Sequence, residues 1–374
     1  MSLEDGILSG YEACRSVLFM DVHRAVLTPQ DVCHPRVVGA KDSPSSEPNE
    51  TAMPAALDHR DRVLRSIEHR DIDRVACYFA AEAETQAMLQ ERLGLRDAQE
   101  ATRFFDADTV QVTVYCALPD LSAVQRTEEL EGLPWPSRER VDLGAEVARA
   151  RAARATGLAV FGGAWATIFT GTRRSMGEQR YLLAMVDQSE LIAEIVRRAA
   201  DGFLDINEAL FSQCADCLDV FYFGTDFGTQ QSLFLSPGAF RRFFRPHLAR
   251  LAEHARGFGL KVMFHACGAV ADLIPDFIAC GIDILDPVQV SATGMAPETL
   301  AKRFGGQIAF HGGISTQTLL PHAAPAEVRA ATVETIRALG PSGYIAGPDQ
   351  WLMPDTPVEN MVAMYEAVRG YKVA

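Results

Sequence analysis

The sequence lacks the features that mark several large classes of protein. It has no apolar run of membrane-spanning length, and it does not open with the basic and apolar segments of a secretory signal. Its eight cysteines follow no framework spacing, so we expect reduced thiols rather than disulfides. Basic residues are in deficit: 35 Lys and Arg against 49 Asp and Glu give a formal charge of −14. This charge argues against nucleic acid or an anionic membrane surface as the main partner, and we expect a cytoplasmic protein.

Glycine pairs stand at two predicted strand ends, but neither pair has the spacing that binds a dinucleotide. Gly162-Gly163 and Gly312-Gly313 are predicted to allow tight turns and close approach of the backbone. The composition, 48% hydrophobic and 22% charged, is that of a globular protein with a large core.

The first 56 residues differ from the rest of the chain. Residues 41–51 (KDSPSSEPNET) have the Pro-, Ser- and charge-rich composition of a flexible linker, and the forty residues before them show no sustained period. We therefore expect residues 1–56 to be a poorly ordered N-terminal extension, or sequence upstream of the natural start. The folded domain is expected to span residues 57–374.

From residue 57 onward, short apolar runs alternate with amphipathic helices. Eight runs are predicted as strands: Val75–Ala80, Thr109–Tyr115, Leu158–Phe161, Leu218–Phe223, Leu260–Phe264, Ile282–Leu285, Gln307–Phe310 and Gly343–Ala346. Nearly all of them are followed by helices, which favours an α/β fold of the closed (β/α)8 type, a TIM barrel, over an open sheet.

His265 and Cys267 follow the run Leu260–Phe264 and are separated by one residue. Side chains at i and i+2 of an extended chain point to the same face, so the imidazole and the thiol should project together. The carboxyl ends of strands are where α/β barrels bind ligands, and these two side chains would form half of a zinc site. The alternative is a buried Cys beside a hydrogen-bonded His, and the residues alone leave both interpretations open.

A barrel would gather further unusual residues at the same mouth, because they follow the predicted strands. Trp165, Gln289 and His311 are predicted to contact the substrate. Asp226 is predicted either to act as a general acid or to bond the backbone N–H groups of its own loop. The complete set at the predicted mouth is Glu82, Glu84, Trp165, Asp226, His265, Cys267, Gln289, His311 and Gln350.

Four segments in order resemble the uroporphyrinogen decarboxylase superfamily: HACG at 265–268, LIPDFIACGIDILDPVQ at 273–289, FHGGIS at 310–315 and PDTPVENM at 354–361. The resemblance covers residues 58–371 and implies a (β/α)8 barrel with its site at the carboxyl mouth. It also implies one of two chemistries. Decarboxylases remove acetate side chains from a tetrapyrrole without metal or cofactor. Zinc-dependent relatives move methyl groups between a small donor or thiol and a corrinoid carried on a partner protein.

Departures from the decarboxylase pattern favour the methyltransferase-like branch. Decarboxylases carry an Arg-rich segment after the first strand that holds the substrate's carboxylates, whereas residues 80–88 here contain Glu82, Glu84 and no Arg. Decarboxylases also keep a His five residues before the Asp of the DTP motif, and Gln350 stands at that place. HACG and GTDFGTQ (224–230) resemble the methyltransferase-like proteins instead. A uroporphyrinogen decarboxylase and a non-catalytic tetrapyrrole- or corrinoid-binding barrel remain the alternatives.

A zinc site in this chain needs a third ligand. The zinc relatives use a second Cys in the terminal loop, where this chain has Gln350. Catalytic zinc takes about three protein ligands, and position alone makes Glu82 the first choice and Asp349 the second. Gln350 is predicted to face the same pocket and take part in catalysis. The expected partners are a small methyl donor or acceptor and, by resemblance, a corrinoid protein.

Overall fold

The computed structural model describes residues 56–373, so the predicted extension falls almost entirely outside the described residues. The strands are β1 Ala76–Cys77, β2 Thr109–Val114, β3 Ala159–Ala164, β4 Val220–Gly224, β5 Lys261–His265, β6 Ile284–Val288, β7 Ala309–Ile314 and β8 Tyr344–Pro348. The α-helices are α1 His59–Ile67, α2 Ala83–Leu93, α3 Ala98–Phe104, α4 Leu143–Arg154, α5 Thr170–Met176, α6 Glu178–Asp187, α7 Ser189–Cys214, α8 Pro237–Phe243, α9 Arg245–Gly257, α10 Ile274–Ala279, α11 Pro297–Phe304, α12 Pro325–Leu339 and α13 Val358–Gly370. Within the described range, no helix is long and apolar enough to cross a membrane.

The eight strands form one parallel sheet in the order β1-β8-β7-β6-β5-β4-β3-β2. Between β1 and β2, where the ring closes, the backbone N–H of Asp108 donates to the carbonyl of Cys77 at 2.7 Å. The Asp108 carboxylate accepts the N–H of Cys77 in return, at 2.8 Å. The predicted (β/α)8 architecture is confirmed.

Buried apolar side chains form two clusters: an outer cluster between the sheet and the helices, and an inner cluster inside the ring of strands. Inward-facing residues such as Ile284 and Ile345 form the inner cluster, together with Val63 and Ile67 of α1. Helix α1 therefore closes the amino end of the barrel with apolar side chains. This arrangement leaves the carboxyl end as the place for a polar site.

Several strands extend further towards the carboxyl end than the sequence predicts. Strand β6 includes Asp286, and β7 includes His311 and Gly312-Gly313, which the prediction placed in loops. The opposite error occurs at β1, which has two residues instead of the predicted Val75–Ala80. Polar residues and glycine are typical of loops, so the prediction ended β6 and β7 too early. At the carboxyl end of the barrel, however, inward-facing side chains contact one another and not an apolar core.

Ser236-Pro237 predicts a helix start, with Ser as N-cap and Pro at the first helical position, and the predicted helix runs to about Arg256; in the structure it is divided in two. Its start is as predicted, because the Ser236 hydroxyl accepts the N–H of Ala239 at 3.1 Å. Helix α8 ends at Phe243 and α9 begins at Arg245. Pro246 explains the break, since it has no backbone N–H with which to continue the hydrogen bonding of α8.

A buried carboxylate, Asp108, ties α1 to the junction of β1 and β2. Arg62 Nη1 donates to it at 2.7 Å, Arg74 Nη1 at 2.9 Å, and His59 Nδ1 lies 2.8 Å away. Burial alone would raise the pKa of Asp108, but hydrogen bonds and the charges of the two arginines hold it below its ordinary value. The carboxylate is therefore ionised and balances two guanidinium groups that are themselves largely buried.

We predict that Asp108→Ala lowers the free energy of unfolding by about 3–5 kcal/mol, because it removes the buried counter-charge that Arg62 and Arg74 share and leaves each guanidinium group with a single carboxylate partner, Asp73 for Arg62 and Asp106 for Arg74. Urea denaturation followed by circular dichroism measures the change. Glu359→Ala is the matched control, since it removes an exposed partner of Arg92 and should cost about 1 kcal/mol or less. Equal losses in the two variants would contradict the assignment of Asp108 as a buried structural charge.

Candidate functional site

Strand β5 ends at His265, and Cys267 follows at the carboxyl mouth. Nε2 of His265 and Sγ of Cys267 lie 3.1 Å apart. This separation is within the roughly 4 Å that two ligands of one tetrahedral ion allow. Cys267 is buried, at 6% exposure, but polar side chains contact it rather than an apolar core alone. The imidazole and the thiol thus project together, as the sequence spacing predicts.

Asp226, from the loop after β4, is the third member of the group. Its Oδ1 lies 3.5 Å from Nε2 of His265 and accepts the backbone N–H of Cys267 at 3.2 Å. The ligand atoms of Asp226, His265 and Cys267 all lie within 4.8 Å of one another. Among residues 56–373, this is the one group of three such side chains with the spacing of a metal site. The hydroxyl of Thr170 accepts the backbone N–H of Asp226 at 2.8 Å and so fixes the loop.

Glu82, the sequence's first choice for a third ligand, is not in this group, and neither is Asp349. Glu82 follows β1, which stands four strands from β5 in the sheet order, whereas Asp226 follows β4, the direct neighbour of β5. One carboxylate oxygen of Asp349 already has hydrogen-bond partners: Oδ1 accepts the N–H and the hydroxyl of Thr316 at 2.8 Å each. Burial raises the pKa of Asp349 to about 6. The strand order therefore moves the predicted third ligand from Glu82 to Asp226.

The carboxylate of Asp286, on β6, sets the orientation of His265. Its Oδ2 lies 2.7 Å from Nδ1 of His265 and accepts the hydroxyl of Tyr222 at 2.8 Å, and its Oδ1 lies 2.6 Å from Nδ1 of His311. Burial alone would raise the pKa of Asp286, but the charge of His311 and the hydrogen bonds from both imidazoles hold it well below its usual range. An ionised carboxylate can only accept, so His265 donates through Nδ1 and turns Nε2 towards Cys267.

Asp286 was not among the predicted site residues, although the sequence contains a signal for it. It stands two residues after Ile284, whose side chain belongs to the inner cluster, so strand alternation turns Asp286 inward too. Tyr78 and Tyr222 also belong to the inner cluster and were likewise not among the predicted site residues. Tyr78 stacks on His311 with ring centroids 3.8 Å apart and covers the imidazole from inside the barrel.

Gln350 and Trp165 flank the group of three, at the positions where the sequence predicts them. The Gln350 amide donates to Sγ of Cys267 at 2.9 Å. The Trp165 ring lies 5.6 Å from the His265 ring and 5.0 Å from the Tyr222 ring, centroid to centroid. Both side chains line the same mouth, and their parts in catalysis and binding remain predictions.

His311 and Gln289, predicted to contact substrate, have partners within the protein. His311 is 2% exposed and bonds to Asp286 through Nδ1. The side-chain oxygen of Gln289 accepts the N–H of Gly268 at 2.7 Å and so holds the backbone next to Cys267. His311 therefore helps to hold Asp286, the partner of His265, and Gln289 holds the backbone beside Cys267. Contact with a substrate remains a prediction for both residues.

The donor set of the group suits zinc. Imidazole nitrogen, thiolate sulfur and carboxylate oxygen are all zinc ligands, and three protein ligands with an open fourth position are typical of catalytic sites. Calcium and magnesium fit poorly, because they prefer oxygen ligands throughout. Asp286 matches the carboxylate that usually holds the other nitrogen of a metal-bound His.

Comparison with solved structures finds the same fold in a methyltransferase from Methanosarcina mazei. The TM-score is 0.64 at 15% sequence identity, and the alignment covers 83% of this chain and 98% of that one. At this level of identity, the likeness shows the fold of the barrel.

Two curated relatives are uroporphyrinogen decarboxylases. That of Anaeromyxobacter sp. (strain Fw109-5) is 31% identical over 130 residues, which is 34% of this chain and 35% of the relative. That of Thermus thermophilus is 28% identical over 137 residues, 36% of this chain and 38% of the relative. The matches thus span little more than a third of the relatives' own length, and they concern a part of each protein only.

The family model described as uroporphyrinogen decarboxylase (URO-D) matches residues 119–371, more than half of the chain. The matched region includes strands β3 to β8 and the whole group of Asp226, His265 and Cys267. The chain therefore belongs to the uroporphyrinogen decarboxylase (URO-D) family.

Proposed function

We propose that this protein is a zinc-assisted methyltransferase that moves a methyl group between a small donor or thiol and a corrinoid held by a partner protein. The observation that carries the proposal is the group of Asp226, His265 and Cys267, whose ligand atoms lie within 4.8 Å of one another at the barrel mouth. The Methanosarcina methyltransferase supports it only as a barrel of the same fold.

Zinc bound by this group would lower the pKa of a coordinated thiol, hydroxyl or water, an activation that methyl transfer to a thiol requires. The protein's own residues prepare the site for it. Asp286 keeps His265 in the tautomer that turns Nε2 towards Cys267. Gln350 directs an amide N–H at the Cys267 sulfur, which stabilises negative charge on that atom.

In the proposed site, Asp226 takes neither of its two predicted roles. Its Oδ1 accepts the N–H of Cys267, which lies in the loop after β5 and not in the loop of Asp226 itself. A metal ligand must be deprotonated, so an Asp226 that binds zinc cannot also be the general acid. The acidic proton of the reaction would then come from the substrate or from water.

Uroporphyrinogen decarboxylation is the second candidate, because the family and both curated relatives carry that name. The charge at the mouth opposes it. The segment after β1 presents Glu82 and Glu84 where the decarboxylases have arginines, and carboxylates repel the acetate groups of the tetrapyrrole.

We expect no decarboxylation when the purified full-length protein is incubated with uroporphyrinogen under anaerobic conditions. Oxidation of the products to porphyrins and separation by chromatography measures the number of carboxylates that remain. A decarboxylase of the same family serves as positive control. Formation of porphyrins with fewer carboxylates would overturn the methyltransferase proposal in favour of the second candidate.

The purified full-length protein should bind about one zinc ion per chain, and His265→Ala and Cys267→Ser should lose it, because each removes one of three ligands. Cys280→Ser is the matched control, since Cys280 is a buried thiol whose hydrogen-bond partner is the carbonyl of Arg245. Plasma mass spectrometry measures the metal. Cys267→Ser should also lose methyl transfer from methylcobalamin to a thiol, which is measured by the change in cobalamin absorbance. The unfolding temperature of this variant should be unchanged. Equal zinc in Cys267→Ser and Cys280→Ser would contradict the site.

Asp286→Asn should weaken zinc binding by about 10- to 100-fold, because the neutral amide no longer imposes the tautomer of His265. Competition with a chromogenic chelator gives the affinity. Asp272→Asn controls for the loss of a carboxylate, since the Asp272 side chain is 76% exposed. An unchanged affinity in Asp286→Asn would show that His265 needs no partner to bind the metal.

A further inference from the structure

A groove of about 500 Å³ lies between helices α12 and α13 on the outside of the barrel. Arg329, Val333 and Arg337 stand at positions i, i+4 and i+8 of α12, so they form one stripe on its surface. Glu366 and Gly370 have the same spacing on α13 and form the facing stripe. The residues that line the groove lie on these outer helices and not in the loops at the mouth, so the groove is separate from the candidate metal site.

The floor of the groove is open at Gly370. A Cβ added to this residue would meet nothing within 4 Å. Val333 and Ala367 contribute apolar surface beside it, and Tyr371, which is half-buried, lines the same space. Such a surface favours a ligand with an apolar body, because binding removes apolar area of both molecules from water.

The charged residues of the groove are mainly basic. Among the described residues that line it, Arg329, Arg337 and Lys372 are bases and Glu366 is the one acid. Arg329 of α12 and Glu366 of α13 form an ion pair across the groove. Arg337 and Lys372 have no carboxylate partner within residues 56–373. Two positive charges are therefore left beside the open space, on a protein whose formal charge is −14.

The two bases also have a role in the helices themselves. Arg337 lies in the last turn of α12 and Lys372 follows the end of α13, where cations offset the partial negative charge of the helix carbonyls. That role requires neither the open floor at Gly370 nor the apolar surface beside it. The combination of bases, apolar surface and open volume indicates a ligand.

The dimensions of the groove restrict the ligand to a small molecule. The ion pair between Arg329 and Glu366 crosses one end of it. Between Arg329 and Arg337 the axis of α12 rises by about 12 Å, at 1.5 Å per residue. A volume of about 500 Å³ is in the range of small-molecule sites. A long segment of a partner protein would have to displace the ion pair.

We propose that this groove binds a small amphipathic anion, with a carboxylate, sulfonate or phosphate head on an apolar body. Arg337 and Lys372 would contact the head through hydrogen bonds between charged groups. The apolar body would lie over Gly370 towards Val333 and Ala367. The inference goes beyond the proposed function and does not depend on it, because it requires neither zinc nor the residues of the mouth.

Calorimetry with the full-length protein separates the contributions of head and body. Octanoate carries both, octan-1-ol has the body alone, and acetate has the head alone. We expect octanoate to bind at one site, about tenfold or more tightly than either of the others, in line with one net hydrogen bond between charged groups. Octanoate binding no tighter than that of octan-1-ol or acetate, or no binding of octanoate, would overturn the inference.

Gly370→Trp should weaken octanoate binding at least about tenfold, because the indole occupies the floor of the groove and excludes the apolar body. The unfolding temperature should be unchanged, since a Cβ at this position meets no other atom within 4 Å. Gly257→Trp is the matched control: Gly257 is the last residue of α9, as Gly370 is of α13, and a Cβ there also meets nothing within 4 Å. Equal octanoate binding in the two variants would contradict a site in this groove.

The double variant Arg337→Gln, Lys372→Gln should lower the affinity for octanoate to that for octan-1-ol and leave the binding of octan-1-ol unchanged, because only the head loses its partners. Lys302→Gln is the matched control, since Lys302 is an exposed base in the last turn of α11. Octanoate should bind normally to this control. Parent-like octanoate binding in the double variant, or equal weakening in the double variant and the control, would overturn the assignment of the two bases to the head.

Discussion

The candidate site depends on one ionised carboxylate in the interior of the barrel. Asp286 accepts from His265, His311 and Tyr222, so a single side chain connects strands β4, β5, β6 and β7. Without these donors a carboxylate at this depth would be strongly disfavoured. With them it is a fixed acceptor that determines which nitrogen of His265 faces the mouth, and the positions of Cys267 and Asp226 matter only because that nitrogen is already in place.

The sequence predicts the order of elements and the pairing of His265 with Cys267, because both follow from local periodicity. The identity of the third group does not, since it depends on which strands become neighbours. Glu82 and Asp226 both follow strands, yet only the sheet order shows that β4 adjoins β5 while β1 stands across the ring. Asp286 and His311 were assigned to loops because a polar residue inside a strand contradicts the usual pattern of a buried parallel sheet.

The zinc site proposed above keeps the family's barrel, but its ligand set would differ from that of the zinc-dependent relatives that the sequence resembles. Those relatives take a second Cys from the terminal loop, where this chain places Gln350 against the sulfur of Cys267. In the proposed site, the carboxylate of Asp226 would replace that thiolate, so the number of anionic ligands would be unchanged. Carboxylate oxygen donates less charge to a metal than thiolate sulfur, and a zinc ion held in this way would be the more electron-poor Lewis acid.

The closed amino end has a consequence for the order of events. Val63 and Ile67 of α1 fill that end of the barrel, so molecules enter and leave by the carboxyl mouth. In the proposed reaction, a small molecule and a protein-borne corrinoid would have to share this single opening. A macromolecule seated over the mouth bars the way to anything beneath it, so the small molecule must arrive first and the larger partner second. In the proposed reaction, the shape of such a barrel would by itself impose a compulsory order of binding.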